Sequence, residues 1–307
     1  MNKLDGRWAI MQIAKRLLHP RHLFRMVSLA RTPHRQRKAA ADAQLQLYAQ
    51  IFPEGHLNYG YFDDPAVAPE QISLGDIQRA QHRYAELIVE QILDHRSPVL
   101  DVGCGMGGLI RLLLDRGLSP TGLTPDQYQL QHLQKTFPNV PFLHSKFEEI
   151  PPEQFRHRFG TVINSESLQY IKLERAVPLV KALLTPGGRW IVADFFNIDA
   201  TGKRAGHPWE AFAQQMDAHR LKIVQTRDIT PHVLPTLAFF YHLGRQIGLP
   251  LTAFTVGKLA AKRPALHYLL DEVLTRGQAV LADRLETINP ATFAKGKKYL
   301  LLVIEHG

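Results

Sequence analysis

Apolar and polar positions alternate between two periods along this chain, and the switch between them sets out its elements. From Gly75 to His95 the apolar residues Ile77, Ala80, Tyr84, Leu87, Ile88, Ile92 and Leu93 recur at three- and four-residue spacing, which predicts one amphipathic helix. Short apolar runs follow at Pro98–Val102, Pro120–Leu123, Val140–Leu143, Gly160–Asn164, Arg189–Phe196, Leu221–Arg227 and Tyr299–Glu305. Helical patterns at Gly108–Leu114, Asp126–Thr136 and Leu173–Leu184 separate the earlier runs. Strands alternating with helices in this order predict βαβ units, hence an α/β fold with a doubly wound, mainly parallel seven-stranded sheet. Pro186-Gly187-Gly188 predicts a turn ahead of the fifth strand. The stretch 231–296, between the sixth and seventh strands, is too long for a turn and predicts a helical insertion. Its apolar residues suffice to cover a substrate cleft, or else to pack as a subdomain without substrate contact.

The N-terminal 44 residues differ from the rest. Trp8, Ile10, Met11, Ile13, Ala14, Leu17 and Leu18 have helical spacing interrupted by Pro20, which suits two short amphipathic helices. Residues 1–40 hold ten Lys or Arg against one acid, Asp5, and so carry the whole +9 charge of the chain. A basic amphipathic arm of this kind packs on the core, on a second copy in a homodimer, or on an anionic membrane surface. With residues 41–307 near neutral, the catalytic region lacks the positive charge that nucleic acid would require, and no nucleic-acid partner is expected. The single cysteine, Cys104, excludes an intrachain disulfide and a cysteine metal cluster. The histidines show no metal-ligand spacing, so no metal site is expected. No run of 18 apolar residues exists, which places the expected location in the cytoplasm, at most peripheral to the inner membrane face.

The chemistry concentrates where the first strand breaks into glycine, at Val99-Leu100-Asp101-Val102-Gly103-Cys104-Gly105-Met106-Gly107-Gly108. Gly103 and Gly105 let a ligand approach the backbone, and Asp101 places a carboxylate at the strand's carboxyl end. Gly103, Gly105 and Gly108 also satisfy G-x-G-x-x-G, which keeps a dinucleotide enzyme as an alternative. That loop serves a pyrophosphate, whereas a carboxylate suits a ligand bearing an ammonium and a sulfonium, such as S-adenosylmethionine.

Together these segments resemble class I S-adenosylmethionine-dependent methyltransferases of Rossmann-like fold over roughly residues 45–307. The likeness is to the group of cyclopropane fatty-acid synthases, sterol and tocopherol methyltransferases and natural-product O-methyltransferases. The resemblance implies that Leu57-Asn58-Tyr59-Gly60-Tyr61-Phe62 closes over the methionine end of the cofactor, with Asn58 and Tyr61 as contacts. It puts Thr124 at the second strand's end and Gln129 at the ribose hydroxyls; Asp126 is equally a plain helix cap. Phe147 and Glu148 would border the adenine, and Asn164 opens the segment after the fourth strand. There Glu166, Gln169 and Tyr170 are catalytic candidates, joined by His232 at the start of the insertion. Gln169 and Tyr170 stand where cyclopropane synthases hold bicarbonate with a Glu-His pair, which argues against cyclopropanation. The implied activity is methyl transfer to a hydrophobic small-molecule acceptor, with oxygen favoured over carbon.

Overall fold

The structure is a computed structural model that describes residues 33–198 and 206–306, with side chains from residue 42. The helices expected over residues 8–30, and the arm they would form, lie outside the described residues. Two compact units are present among the described residues: Tyr48–Gly248 with the chain from Ala282 onward, which carries the sheet, and residues 33–47 with Leu249–Leu281.

Seven strands make the frame: β1 Val99–Val102, β2 Pro120–Thr124, β3 Phe142–His144, β4 Phe159–Ser165, β5 Leu184–Asn197, β6 Leu221–Asp228 and β7 Lys297–His306. Their order across the sheet is β3-β2-β1-β4-β5-β7-β6. The pairs from β3 to β5 are parallel, and β7 lies antiparallel between β5 and β6. His207–Pro208 adds a two-residue parallel pairing to Phe196 and Asn197, an eighth strand that the apolar pattern does not reveal. The strand order reverses between the parallel neighbours β1 and β4, so their carboxyl ends open a crevice at the switch point of the winding.

The helices are α1 Pro33–Ile51, α2 Leu74–Val89, α3 Gly108–Asp115, α4 Gln127–Thr136, α5 Leu173–Leu183, α6 Trp209–Ala218, α7 Thr230–Leu243, α8 Leu249–Lys262, α9 Pro264–Glu286 and α10 Pro290–Gly296. α1 runs through the expected boundary at residues 44/45. A capping box starts α2, with the Ser73 and Asp76 side chains each accepting from the other residue's backbone N–H. Asp126 caps α4 by accepting from Gln129 N at 2.9 Å, which is the plain role open to it from sequence. α6 has no counterpart among the predicted helices; it buries only Phe212 and Met216, too few positions for a clear period.

Alternation along β5 divides the core between the two faces of the sheet. Trp190, Val192 and Phe196 join Val180, Leu183 and Phe212 on one face. Ile191, Ala193 and Phe195 meet Tyr84, Ile88, Leu113 and Tyr299 on the other. The Pro186-Gly187-Gly188 turn is real but lies inside β5, as an irregularity in register against β4 with Gly187 at φ 76°. The expected insertion is helical throughout, from α7 to α10 with a π-helical segment at Gly244–Gly248. Its two ends belong to the core: α7 buries Val233 and Leu237, and α10 buries Phe293.

Candidate functional site

A cavity of about 580 Å³ opens at the carboxyl ends of β1, β2 and β4. Such a volume suits a nucleoside-sized ligand. Its floor is the turn after β1. Gly103 at φ 77° passes so close to Ser167 that a Cβ there would lie 2.6 Å from the Ser167 side chain. Gly105, at φ 56°, would meet only the Leu57 Cδ1 at 3.5 Å, so the space above it belongs to the cleft. Gly108 has a different duty: a Cβ on it would strike the His56 ring at 2.5 Å, so the third glycine of G-x-G-x-x-G admits a neighbouring loop.

Asp101 lines this cavity, is 1% exposed, and its Oδ2 has no hydrogen-bond partner. Burial pushes its carboxyl up to about 7. An unpaired buried carboxylate oxygen is costly unless a ligand supplies the donor, and a cationic ligand would also return the group to its ionised form. At the end of β2, the Thr124 hydroxyl accepts from Asp126 N at 3.1 Å and donates to Gln129 Oε1 at 2.6 Å. The Gln129 carbonyl is thereby occupied and its amide nitrogen is the group left to donate. Phe147 lines the cavity while 2% exposed, and Glu148 beside it accepts from Lys172 N at 3.4 Å. Asn58 lies on the opposite wall, its Oδ1 accepting from Gly60 N at 2.9 Å.

Glu166 is the most constrained side chain in the cleft. It follows β4 with φ 50°, a left-handed backbone that a glutamate does not adopt without a tertiary reason. Its Oε1 accepts both from Tyr59 N at 2.8 Å and from the Tyr299 hydroxyl at 2.7 Å, leaving Oε2 for a ligand. The Tyr299 hydroxyl also lies 2.8 Å from that of Tyr84, which donates to Ala193 O at 3.0 Å. Burial outweighs these donors and raises the Glu166 carboxyl to about 7. Tyr170 stands at the rim, 79% exposed.

The structure therefore gathers Asn58, Asp101, Gly103, Gly105, Thr124, Gln129, Phe147, Glu148, Glu166 and Tyr170 around one cavity. Four candidates fall elsewhere. Tyr61 and His232 stack on each other at 4.2 Å; Arg227 Nη2 donates to the Tyr61 hydroxyl at 2.6 Å, and His232 Nδ1 lies 2.7 Å from Phe62 O. Both rings are thus committed to joining the 57–62 segment to α7, and the expected roles in cofactor contact and base catalysis do not fit this placement. Asn164 lies beneath the wall, accepting from Trp190 Nε1 and donating to Ser167 Oγ, each at 2.9 Å. Gln169 turns its amide to Glu166 O at 3.4 Å.

Sequence reasoning missed His56, which lines the cavity, and the tyrosines behind Glu166, Tyr84 and Tyr299. It also missed Asp194, which accepts from Gln169 N at 3.1 Å and so ties down the turn bearing Tyr170. Burial raises that carboxyl to about 7 as well. A lone acid inside the apolar run Trp190–Phe196 is a signal that could have found it. His56, buried beside His82 and Arg111, has its imidazole pushed down to about 4, chiefly by desolvation.

A doubly wound sheet whose first strand ends in an acid and a glycine turn, with the cleft at the switch point, is the class I methyltransferase architecture. The comparisons agree: a profile of the methyltransferase domain matches residues 99–188. A 2-methyl-6-phytyl-1,4-hydroquinone methyltransferase of Synechocystis sp. is 35% identical over 151 residues, 47% of this chain and 46% of that protein. The chain spans about half the length of the curated relatives it matches. Among solved structures, a geranyl diphosphate C-methyltransferase from Streptomyces coelicolor superposes with TM-score 0.62 at 16% identity, covering 85% of this chain and 92% of that one. The [4+2]-cyclase SpnF superposes with TM-score 0.58 at 20% identity, covering 85% and 95%. The chain therefore has a Rossmann-like methyltransferase fold, and its residues 99–188 match a methyltransferase domain.

Proposed function

We propose that this protein transfers a methyl group from S-adenosylmethionine to a hydrophobic small-molecule acceptor, with oxygen favoured over carbon. The observation that carries the reading is the pairing of two buried carboxylates across one cleft, Asp101 with an unpartnered oxygen and Glu166 with Oε2 uncommitted. The residues present fit the cofactor. Asp101 suits its cationic end, the open face of Gly105 admits it to the backbone, and the Gln129 amide can donate to a ribose hydroxyl. When bound, S-adenosylmethionine supplies an electrophilic methyl on a sulfonium. The protein's task is then alignment of the acceptor at about 3 Å and exclusion of water. Glu166, held by Tyr59 and Tyr299, would accept the proton of an acidic hydroxyl at Oε2, and the Tyr170 phenol at the rim can orient the acceptor. The hydroquinone in the Synechocystis relative's name supports a phenolic acceptor with an apolar tail.

Mass spectrometry with a deuterated methyl donor tests methylation against ring closure, and fragmentation of the product locates the methyl on oxygen or on carbon. The expected product retains every methyl deuterium; a product short of one would show ring closure and overturn the reading. A second reading, in which the same fold serves a reaction other than methyl transfer, is supported by the likeness to a protein named a [4+2]-cyclase. It predicts product formation without release of S-adenosylhomocysteine.

A further inference from the structure

At the 55–58 wall of the cleft, the lining residue His56 meets Glu54 and His82, which do not line the cavity, and each of the three brings one ligand atom within 4.8 Å of the others. They are the one such group of three among the described residues. We propose that they bind a divalent transition-metal ion of the zinc type, which ties the cleft wall to α2.

Two imidazoles and a carboxylate form a donor set suited to zinc, cobalt(II) or nickel(II) and ill suited to magnesium, which prefers oxygen. The three residues differ in freedom in a useful way. His56 is 5% exposed and seated against Gly108, so it is a fixed ligand. The His82 and Glu54 side chains are 47% and 56% exposed and can close the remaining distance, which for ligands at about 2 Å from zinc means a contraction of roughly 1–1.5 Å.

A second observation points the same way. The His82 Nδ1 lies 4.0 Å from Glu54 Oε2, while its Nε2 lies 3.9 Å from Glu86 Oε1 on the other side. A histidine with one nitrogen toward the ligand group and the other toward a carboxylate has the arrangement that fixes and strengthens a metal-bound imidazole. Glu86 is itself held in place, by Arg116 at 3.1 Å and Arg83 at 3.4 Å.

The consequence falls on the cleft. Gly55 O accepts from Gly108 N at 3.3 Å, and Asn58 O accepts from Gln81 Nε2 of α2 at 2.9 Å, so the wall already has one tie to the glycine turn and one to the helix. A metal would add a tie between them. Ligand binding confined to the folded state raises the melting temperature.

The test uses the full chain, freed of metal with a chelator and kept without cofactor. Titration with cobalt(II), followed by its visible absorption, and with zinc by calorimetry should give one site; thermal melting should shift upward by several degrees at saturating zinc. His82→Ala and Glu54→Gln should each weaken zinc by about 100-fold or more, and Glu86→Gln by about tenfold. Because the chain has 15 histidines, His267→Ala serves as the control and should bind as wild type. Absence of a stoichiometric site, binding unchanged by His82→Ala and Glu54→Gln, or equal competition by magnesium would each overturn the proposal.

Discussion

Asp101 and Glu166 sit at the carboxyl ends of adjacent strands, and each owes its raised pKa to burial. For Glu166 as a base the active form is the carboxylate. Activity should therefore rise as pH increases through about 7, because below that value the group holds its proton. Glu166→Gln should lower kcat by about 100-fold and flatten that rise, while leaving cofactor affinity within a few-fold. A pH–rate profile of both proteins checks this; an unchanged rise in the variant would move the base elsewhere. Gly105 is the complementary case. Its left-handed φ disfavours any Cβ by about 1–2 kcal/mol, and a valine side chain would occupy the open space of the cleft. Gly105→Val should lose at least tenfold in affinity for S-adenosylhomocysteine by calorimetry while its circular dichroism stays native. Equal binding by a folded variant would remove the cofactor from this turn.

At the scale of elements, α2 is where local chemistry and the site separate. Ser73 closes the capping box with Asp76 at the first turn of the helix, about two turns before Gln81 and His82. Ser73→Ala should cost about 1 kcal/mol in denaturant unfolding and leave cofactor binding as it is. A loss of cofactor affinity equal to the loss of stability would mean that the helix end and the cleft open together. The 57–62 segment shows the opposite situation. Its tyrosines and the glycine at 60 suggest an aromatic clasp over the cofactor, yet only Leu57 and Asn58 reach the cavity. Tyr59 gives its N–H to Glu166, and Tyr61 turns away to His232 and Arg227.

For the whole molecule the open question is where the acceptor is met. The +9 charge sits in residues 1–40, and the described helices α8 and α9 expose Leu251, Phe254, Tyr268, Leu269 and Val273. No described helix is long and apolar enough to cross a membrane. We propose that an anionic membrane surface, holding the apolar acceptor, is the partner of the basic residues 1–40. Each basic side chain at such a surface contributes about 1 kcal/mol at best. The intact protein should float with anionic vesicles at low salt and not with neutral ones, and replacing Lys15, Arg16, Arg21 and Arg25 by glutamine should abolish flotation. No binding of the intact protein to anionic vesicles would return the region to packing within the chain or against a second copy.

The amino-acid sequence by itself determined the strands, most helices around the sheet and the glycine turn, because these rest on local periodicity and on backbone freedom at Gly103 and Gly105. The strand end pointed to Asp101, and the resemblance to a known family pointed to Thr124 and Gln129; all three line the cavity. Only the tertiary structure decided the rest of the site. Tyr299 reaches Glu166 across 133 positions of the chain, and Asp194 holds Gln169 from another strand. Such pairs leave no period to read. The same holds for Tyr61 and His232: both were drawn to the cleft by position in a motif, and the ring stacking between segments 57–62 and α7 placed them outside it. Side-chain direction there is set by what packs across the cleft wall, a property of the folded chain that no window of sequence contains.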